Sequence, residues 1–193
     1  MIRLNMGSGM AEKVHNFTFN ETWINVDSEA GVQPDVLWDC DTFPYPFPDN
    51  YADLILSHHL IEHLENPIEH IKECKRILKV GGKLIVHYPH YSNPEAFFGF
   101  HKRYFGMYAF HPKYFNYGRD MHTGKWKGFS LTLNCSAKDD EGYRWGKPIA
   151  KITRLRYYLI DKWINFMGKH YEWTPLIGCA LFPCYEVQME IIK

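Results

Sequence analysis

The sequence predicts an α/β fold, a doubly wound and mostly parallel sheet joined by an antiparallel C-terminal strand. Short apolar runs recur through residues 1–90, most of them followed at once by glycine, aspartate or histidine. The stretches between them are long or carry helix signals, as crossovers between parallel strands require. A final alternating run, Tyr185–Ile192, supplies the returning strand.

Taken in order, Ile2–Met6 is the first strand and runs into Gly7-Ser8-Gly9. Trp23–Val26 is the second and meets Asp27; Asp35–Trp38 is the third and meets Asp39. The three prolines of Thr42–Asn50 keep that segment out of helix and sheet interior. Ala52–Ser57 is the fourth strand. Asn66-Pro67-Ile68-Glu69 is a helix start, with Asn66 as cap, Pro67 in the first turn and Glu69 reciprocating. Ile68, Ile71, Cys74 or Lys75, and Leu78 mark its buried face, and Gly81-Gly82 stops it in a left-handed cap. Leu84–Tyr88 is the fifth strand, ended by Pro89. Farther on, Phe129–Cys135 reads as a strand, Asp139–Gly142 as a surface turn and Leu155–Met167 as an amphipathic helix.

A chain of 193 residues, 46% of them hydrophobic, suits a single domain with a full core. No run of about eighteen apolar residues is present to span a membrane. The opening residues read directly as a strand rather than a leader, and five scattered cysteines without a Cys-x-x-Cys pair suit reduced thiols. A cytoplasmic location is the expectation. The net charge of zero conceals a division: residues 1–100 carry seven Lys/Arg against fourteen Asp/Glu, and residues 101–193 carry fifteen against eight. An acidic half suits a cationic cofactor and a basic half an anionic acceptor, unless the segregation is ordinary surface charge.

Ligands of open parallel sheets bind at the carboxyl ends of the strands, where the strand order reverses. Gly7 and Gly9 stand there without a Cβ to hold a ligand off the backbone. Asp27, twenty residues after Gly7, stands where an acid accepts both hydroxyls of a ribose. Asp39 is placed to accept from an adenine amino group, with the Cys40 backbone N–H facing a ring nitrogen. A dinucleotide site needs a third glycine where Glu12 stands, and a pyrophosphate would be repelled by that carboxylate. A sulfonium cofactor carries no phosphate, so S-adenosylmethionine is the expected ligand.

Leu4-Asn5-Met6-Gly7-Ser8-Gly9 resembles the first motif of class I S-adenosylmethionine-dependent methyltransferases, which are Rossmann-like. Asp39 followed by Pro46–Ile55 is similar to their adenine loop and fourth strand. His59–Leu64 and Arg76–Leu84 resemble the type 11 branch in particular. The resemblance covers residues 2–88 and implies cofactor binding by Asn5, Gly7, Ser8, Gly9, Asp27, Asp39, Cys40 and His58, with methyl transfer as the activity. It departs from the family at Asn5, where an acid is frequent, and at Ala11, where a third glycine is frequent. The helices that usually precede the first strand are not seen either. Cover for the cofactor is then expected from the aromatic segment or from a partner subunit, as in a homodimer. The domain accordingly divides into a cofactor-binding half (1–90), an aromatic acceptor or lid insertion (91–128) and C-terminal strands with a helix (129–193).

Residues 88–128 hold thirteen of the thirty-two aromatic residues, among them Phe97, Phe98, Phe100, Tyr104, Phe105, Tyr108 and Phe110. They form either a lid whose rings attract a sulfonium or a second small core. Eleven histidines include His58 and His59 after the fourth strand and His87 and His90 around the end of the fifth. By location, His59 and His90 are the candidate general bases. His63 is expected to pack rather than react. Tyr91, His101 and Arg103 fall in segments weakly similar to other members of the branch and are the candidate acceptor contacts. The histidine spacing matches no ligand motif, so no metal is expected. The acceptor is expected to be a small molecule or saccharide-type compound, methylated at oxygen. His58-His59-Leu60 stands where base N-methyltransferases carry an Asn-Pro-Pro-Tyr-like loop, and the neutral overall charge argues against nucleic acid. The rival readings are a catalytically silent binding subunit, a nicotinamide oxidoreductase and a nucleic-acid methyltransferase.

Overall fold

The computed structural model describes residues 1–9, 23–106, 109–110, 129–134 and 186–193. The expected turn at Asp139–Gly142, the helix at Leu155–Met167, and Ala11, Glu12 and Tyr108 lie outside them. The described strands are β1 (Arg3–Met6), β2 (Ile24–Asp27), β3 (Val36–Leu37), β4 (Ala52–His58), β5 (Leu78–Pro89), β6 (Phe129–Asn134) and β7 (Glu186–Ile192), with helix α1 (Pro67–Ile77) between β4 and β5. They form one sheet in the order β3-β2-β1-β4-β5-β7-β6. The first five strands are parallel, while β7 runs antiparallel to both β5 and β6. The expected fold class is the observed one.

The order reverses between β1 and β4, so the chain leaves β1 toward one sheet edge and later returns to fill the other. That reversal opens a crevice at the carboxyl ends of β1 and β4, where a ligand can reach the backbone. Central strand β1 buries Leu4, Asn5 and Met6, and β4 buries Ile55, Leu56 and Ser57, as strands covered on both faces must. Val187, Met189 and Ile191 put the alternating face of β7 into the same core.

Two local expectations need correction. Asn66 makes no side-chain cap bond to α1. Asp41 instead anchors the two residues that precede the helix: its carboxylate accepts from the Glu65 N–H at 2.9 and 3.0 Å and from the Asn66 N–H at 3.1 Å. Gly81-Gly82 does not stop the helix either: α1 ends at Ile77 and β5 begins at the next residue. Gly81, at φ +81°, sits inside the strand, and the β4–β5 register shifts between Ala52 and Leu54. A Cβ on Gly82 would stand 2.9 Å from the Lys79 carbonyl oxygen, so the glycine pair serves a strand irregularity rather than a cap.

The buried face of α1 is Pro67, His70, Ile71, Cys74 and Ile77. Ile71 and Cys74 agree with the apolar pattern, but His70 replaces Ile68 as a fully buried member. A polar residue was overlooked in a face chosen by hydrophobicity, and His70 proves to link the core to the site.

Candidate active site

The turn after β1 and the acid after β2 form one hydrogen-bonded unit. Gly7 and Gly9 adopt φ +65° and +53°, the left-handed region that glycine enters without strain. The Gly7 and Ser8 N–H groups both donate to the Val26 carbonyl, at 2.8 and 3.1 Å. The Gly9 N–H donates to Asp27 Oδ2 at 2.8 Å, and Asp27 Oδ1 accepts from the Glu29 N–H at 2.9 Å. These two bonds fix the direction of the carboxylate, and each oxygen keeps a further lone pair for a ligand. Gly7 has a second requirement: a Cβ there would lie 2.7 Å from Leu60 Cδ1.

Gly7, Asp27, Asp39 and Cys40 all line one cleft of about 240 Å³ at this edge of the sheet. The volume lies below the roughly 300–1,000 Å³ of drug-sized pockets, so the cleft accommodates one end of a cofactor. Trp38, Asp41, Leu60, His63 and Lys102 line it as well, and none of these was singled out from the sequence as a site residue. Asp41 had a signal, since it follows Asp39 by two positions. Leu60 and His63 lie in the His59–Leu64 motif, but their place at the cleft depends on a tight turn after β4 that the motif does not reveal. Asp27, Asp39 and Asp41 give the cleft an acidic character, and the rim cation Lys102 is held by Glu65 at 3.1 Å and Asp41 at 3.6 Å. Such a lining accepts hydroxyl and amine donors and repels a pyrophosphate.

The segment carrying Asp39 and Cys40 is held from beneath by a buried polar chain. Tyr45 Oη lies 2.7 Å from the Cys40 carbonyl oxygen and 2.7 Å from His70 Nδ1, while His70 Nε2 lies 3.1 Å from Ser57 Oγ. Tyr45 has one proton, which goes to the carbonyl. His70 must therefore donate through Nδ1, and Nε2 accepts from Ser57. Burial depresses the His70 pKa to about 4, which keeps the ring neutral in this role. Burial likewise pushes the Cys40 thiol up to about 12, so its side chain is no nucleophile. On the outer side, Arg76 donates to the Phe47 carbonyl at 2.9 Å and to the Tyr45 carbonyl at 3.2 Å. Glu73 accepts from the Tyr45 N–H at 2.8 Å, and Arg76 beside it holds the Glu73 carboxyl below its ordinary value.

After β4 the chain turns sharply. His59 adopts φ +50°, and Ile61–His63 form one turn of 3-10 helix. His59 Nδ1 lies 3.1 Å from Oε1 of Glu62, whose side chain is wholly buried. His59 itself is not among the residues that line the cleft, whereas its neighbour Leu60 is. Glu62 was missed from sequence, where a glutamate on a short turn reads as surface. His58 is exposed at the strand end, its ring 5.1 Å from His87, and it does not line the cleft.

The remaining candidates separate. Asn5 is buried with its amide donating to Asn25 Oδ1 at 3.1 Å, and it is not part of the cleft lining. Ser8 is buried in the glycine turn. His90 is 1% exposed, and its Nδ1 accepts from the Ser92 N–H at 3.3 Å, so that nitrogen caps a loop. Tyr91 is half exposed, with its N–H on the Phe105 carbonyl at 2.7 Å. Arg103 donates to the backbone carbonyls of Leu64 and Glu65, at 3.4 and 2.6 Å. His101 faces His63, with ring centroids 4.8 Å apart. Phe105 and Phe110 pack edge-on against buried Tyr88 and belong to the main hydrophobic core rather than to a second one. Phe97, Phe98, Phe100 and Tyr104 are exposed and do not line the cleft.

A seven-stranded sheet in this order, with Gly7 and three carboxylates lining one cleft at its switch point, is a Rossmann-like architecture. Residues 4–86 match the model of a methyltransferase domain family. An uncharacterized methyltransferase of Schizosaccharomyces pombe is 40% identical over 40 residues, which are 21% of this chain and 14% of that protein's length. Among solved structures, an S-adenosylmethionine-dependent methyltransferase of Archaeoglobus fulgidus superposes with a TM-score of 0.63, covering 100% of this chain and 86% of its own, at 14% identity. A phosphoethanolamine N-methyltransferase of Haemonchus contortus, in complex with phosphomonomethylethanolamine and S-adenosylhomocysteine, superposes with a TM-score of 0.55 at 14% identity, covering 100% of this chain and 49% of its own. At such identities the structural likeness speaks for the fold. No helix among the described residues is long and apolar enough to cross a membrane.

Proposed function

We propose that the chain is an S-adenosylmethionine-dependent methyltransferase acting on a small molecule or saccharide-type acceptor at oxygen. The observation that carries this reading is the convergence of Gly7, Asp27, Asp39 and Cys40 on one acidic cleft at the strand-order reversal. Asp27 takes the ribose hydroxyls through the lone pairs left by Gly9 and Glu29. Asp39 accepts from the adenine amino group, and the Cys40 backbone, braced by Tyr45, meets the ring. The turn at Gly7, Ser8 and Gly9 lets the rest of the cofactor approach the end of β1. When bound, S-adenosylmethionine supplies a methyl group already activated by its sulfonium.

The protein's own part is alignment and proton removal. Alignment of nucleophile and donor supplies up to roughly 7–11 kcal/mol in such displacements. His59, oriented by Glu62 at Nδ1, would take the acceptor's hydroxyl proton, while the bound cofactor would supply the methyl group by loss of its S–CH3 bond and leave as S-adenosylhomocysteine. A general base contributes roughly 10²–10⁴-fold. His90 has no such part, since its ring serves the loop at Ser92. Tyr91, His101 and Arg103 remain on the acceptor side only as far as their surfaces are exposed; Arg103 is largely spent on backbone carbonyls.

Labelled-methyl transfer from S-adenosylmethionine into fractionated small-molecule and saccharide extracts tests the reading. Label in an ether or ester linkage is expected, with His59→Asn lowering kcat by about 10²–10⁴-fold at near-normal cofactor affinity. Label on nitrogen or carbon overturns the oxygen assignment. Saturable cofactor binding with no label in any fraction overturns the enzyme in favour of a silent binding subunit.

A further inference from the structure

We propose that Glu62, His63 and His101 bind a divalent transition cation of the zinc class, which ties the segment after β5 to the turn after β4. The inference is independent of methyl transfer. One carboxylate oxygen of Glu62 and one ring nitrogen of each histidine lie within 4.8 Å of one another. Tetrahedral ligands about 2.0–2.2 Å from a zinc ion stand about 3.3–3.6 Å apart, so a closure of up to about 1.5 Å completes the shell.

Glu62 supplies the second, independent observation. Its side chain is 0% exposed, and Oε2 has no hydrogen-bond partner among the described residues. A buried carboxylate oxygen without a partner is costly, and neither Lys102 nor Arg103 serves it with a side chain. Lys102 is taken by Asp41 and Glu65, and Arg103 by backbone carbonyls. A cation shared with two imidazoles answers that cost directly.

The histidines are already oriented as ligands require. His101 Nδ1 lies 3.0 Å from the Ala96 carbonyl oxygen, so it carries the proton and Nε2 is the ligating nitrogen. The His63 ring also has a hydrogen bond to the Phe100 backbone and stacks on the Phe100 ring. The two halves of the site are also bolted together by the main chain, since the Lys102 and Arg103 N–H groups donate to the Glu62 carbonyl at 2.8 and 3.2 Å. Two imidazoles and one carboxylate form a three-ligand set that suits zinc and leaves a position for water; magnesium, an oxygen-seeking ion, is ill matched. Both histidines are only partly buried, so an ion can enter from solvent.

The test uses the full chain without an affinity tag, stripped with a chelator and titrated with Zn²⁺ against a chromophoric competitor in the absence of S-adenosylmethionine. One equivalent is expected to bind, with a rise in Tm, and Mg²⁺ is expected to give neither. His101→Ala, at a partly exposed position, is expected to weaken that equivalent by at least about tenfold and to remove the rise in Tm. His63→Ala is expected to do the same. A wild-type chain that takes up no zinc overturns the site, as does a His101→Ala chain that keeps wild-type affinity and the same Tm rise, because the ion would then sit elsewhere.

Discussion

At the scale of single residues, Tyr45 shows how the cleft at the sheet's switch point depends on groups that do not line it. Its hydroxyl donates to the Cys40 carbonyl and accepts from His70, so one oxygen aligns the segment that carries Asp39. Tyr45→Phe keeps the ring stacked on Phe43 but leaves a carbonyl and an imidazole N–H without their partner. The expected cost is about 1–3 kcal/mol of stability, measured by denaturant titration, together with weaker S-adenosylmethionine binding. An unchanged midpoint and unchanged affinity would show that the relay does not brace the loop. Asp27 and Gly7 were legible from sequence because each directly follows an apolar strand, where a small or acidic residue has no packing reason to stand. Glu62 was not legible: its importance comes from burial against His59, and nothing in a one-turn helix announces burial.

At the scale of elements, α1 and the proline-rich segment 42–50 act as one piece. Arg76 and Glu73 grip the backbone of that segment from outside, while His70 grips Tyr45 from within. The helix therefore transmits core packing to the Asp39 side of the cleft. His70 makes this connection sensitive to acid. Its folded pKa is depressed by burial to about 4, below the ordinary 6.5, so at intermediate pH the unfolded chain binds more protons than the native one. Its stabilisation is complete above about pH 6.5 and is lost as pH falls toward about 4, amounting to on the order of 3 kcal/mol. The groups facing it, Tyr45, Ser57 and Cys74, are neutral, and Asp41 offsets the effect only in part. Thermal melts between about pH 7 and pH 4.5 are expected to show a steeper fall for the wild type than for His70→Asn; parallel slopes would contradict the assignment. The existence of the strands and their places along the chain were readable because period-two and buried runs are strong signals. The end of α1 was not, because Gly81-Gly82 imitates a helix cap while serving an irregularity in β5.

At the scale of the whole molecule, the sheet order places the first two strands' ends, the loop after β3 and the turn after β4 around a single opening. Sequence separation hides this, since Gly7, Asp39 and His63 belong to three different crossovers. The proposed cation would add the segment after β5 to the same assembly, and so connect the cofactor side to the basic half of the chain. The aromatic insertion divides its labour: Phe105 and Phe110 complete the main core beneath Tyr88, and the exposed rings around Phe97–Tyr104 leave the cleft to polar groups. Residue counting could place these aromatics in one segment but could not assign rings to faces, because the segment follows no helical or strand period.

Calorimetric titration of the wild-type chain and Asp27→Asn with S-adenosylmethionine bears most directly on the cleft. Asparagine keeps the shape of the side chain and one acceptor for the Gly9 N–H, so the fold should persist by circular dichroism. Saturable one-to-one binding by the wild type is expected, with affinity reduced by about tenfold or more in the variant, as loss of a charge-assisted hydrogen bond implies. Equal affinities in the two chains, or no saturable binding by the wild type, would contradict the placement of the adenosyl group between Asp27 and Asp39.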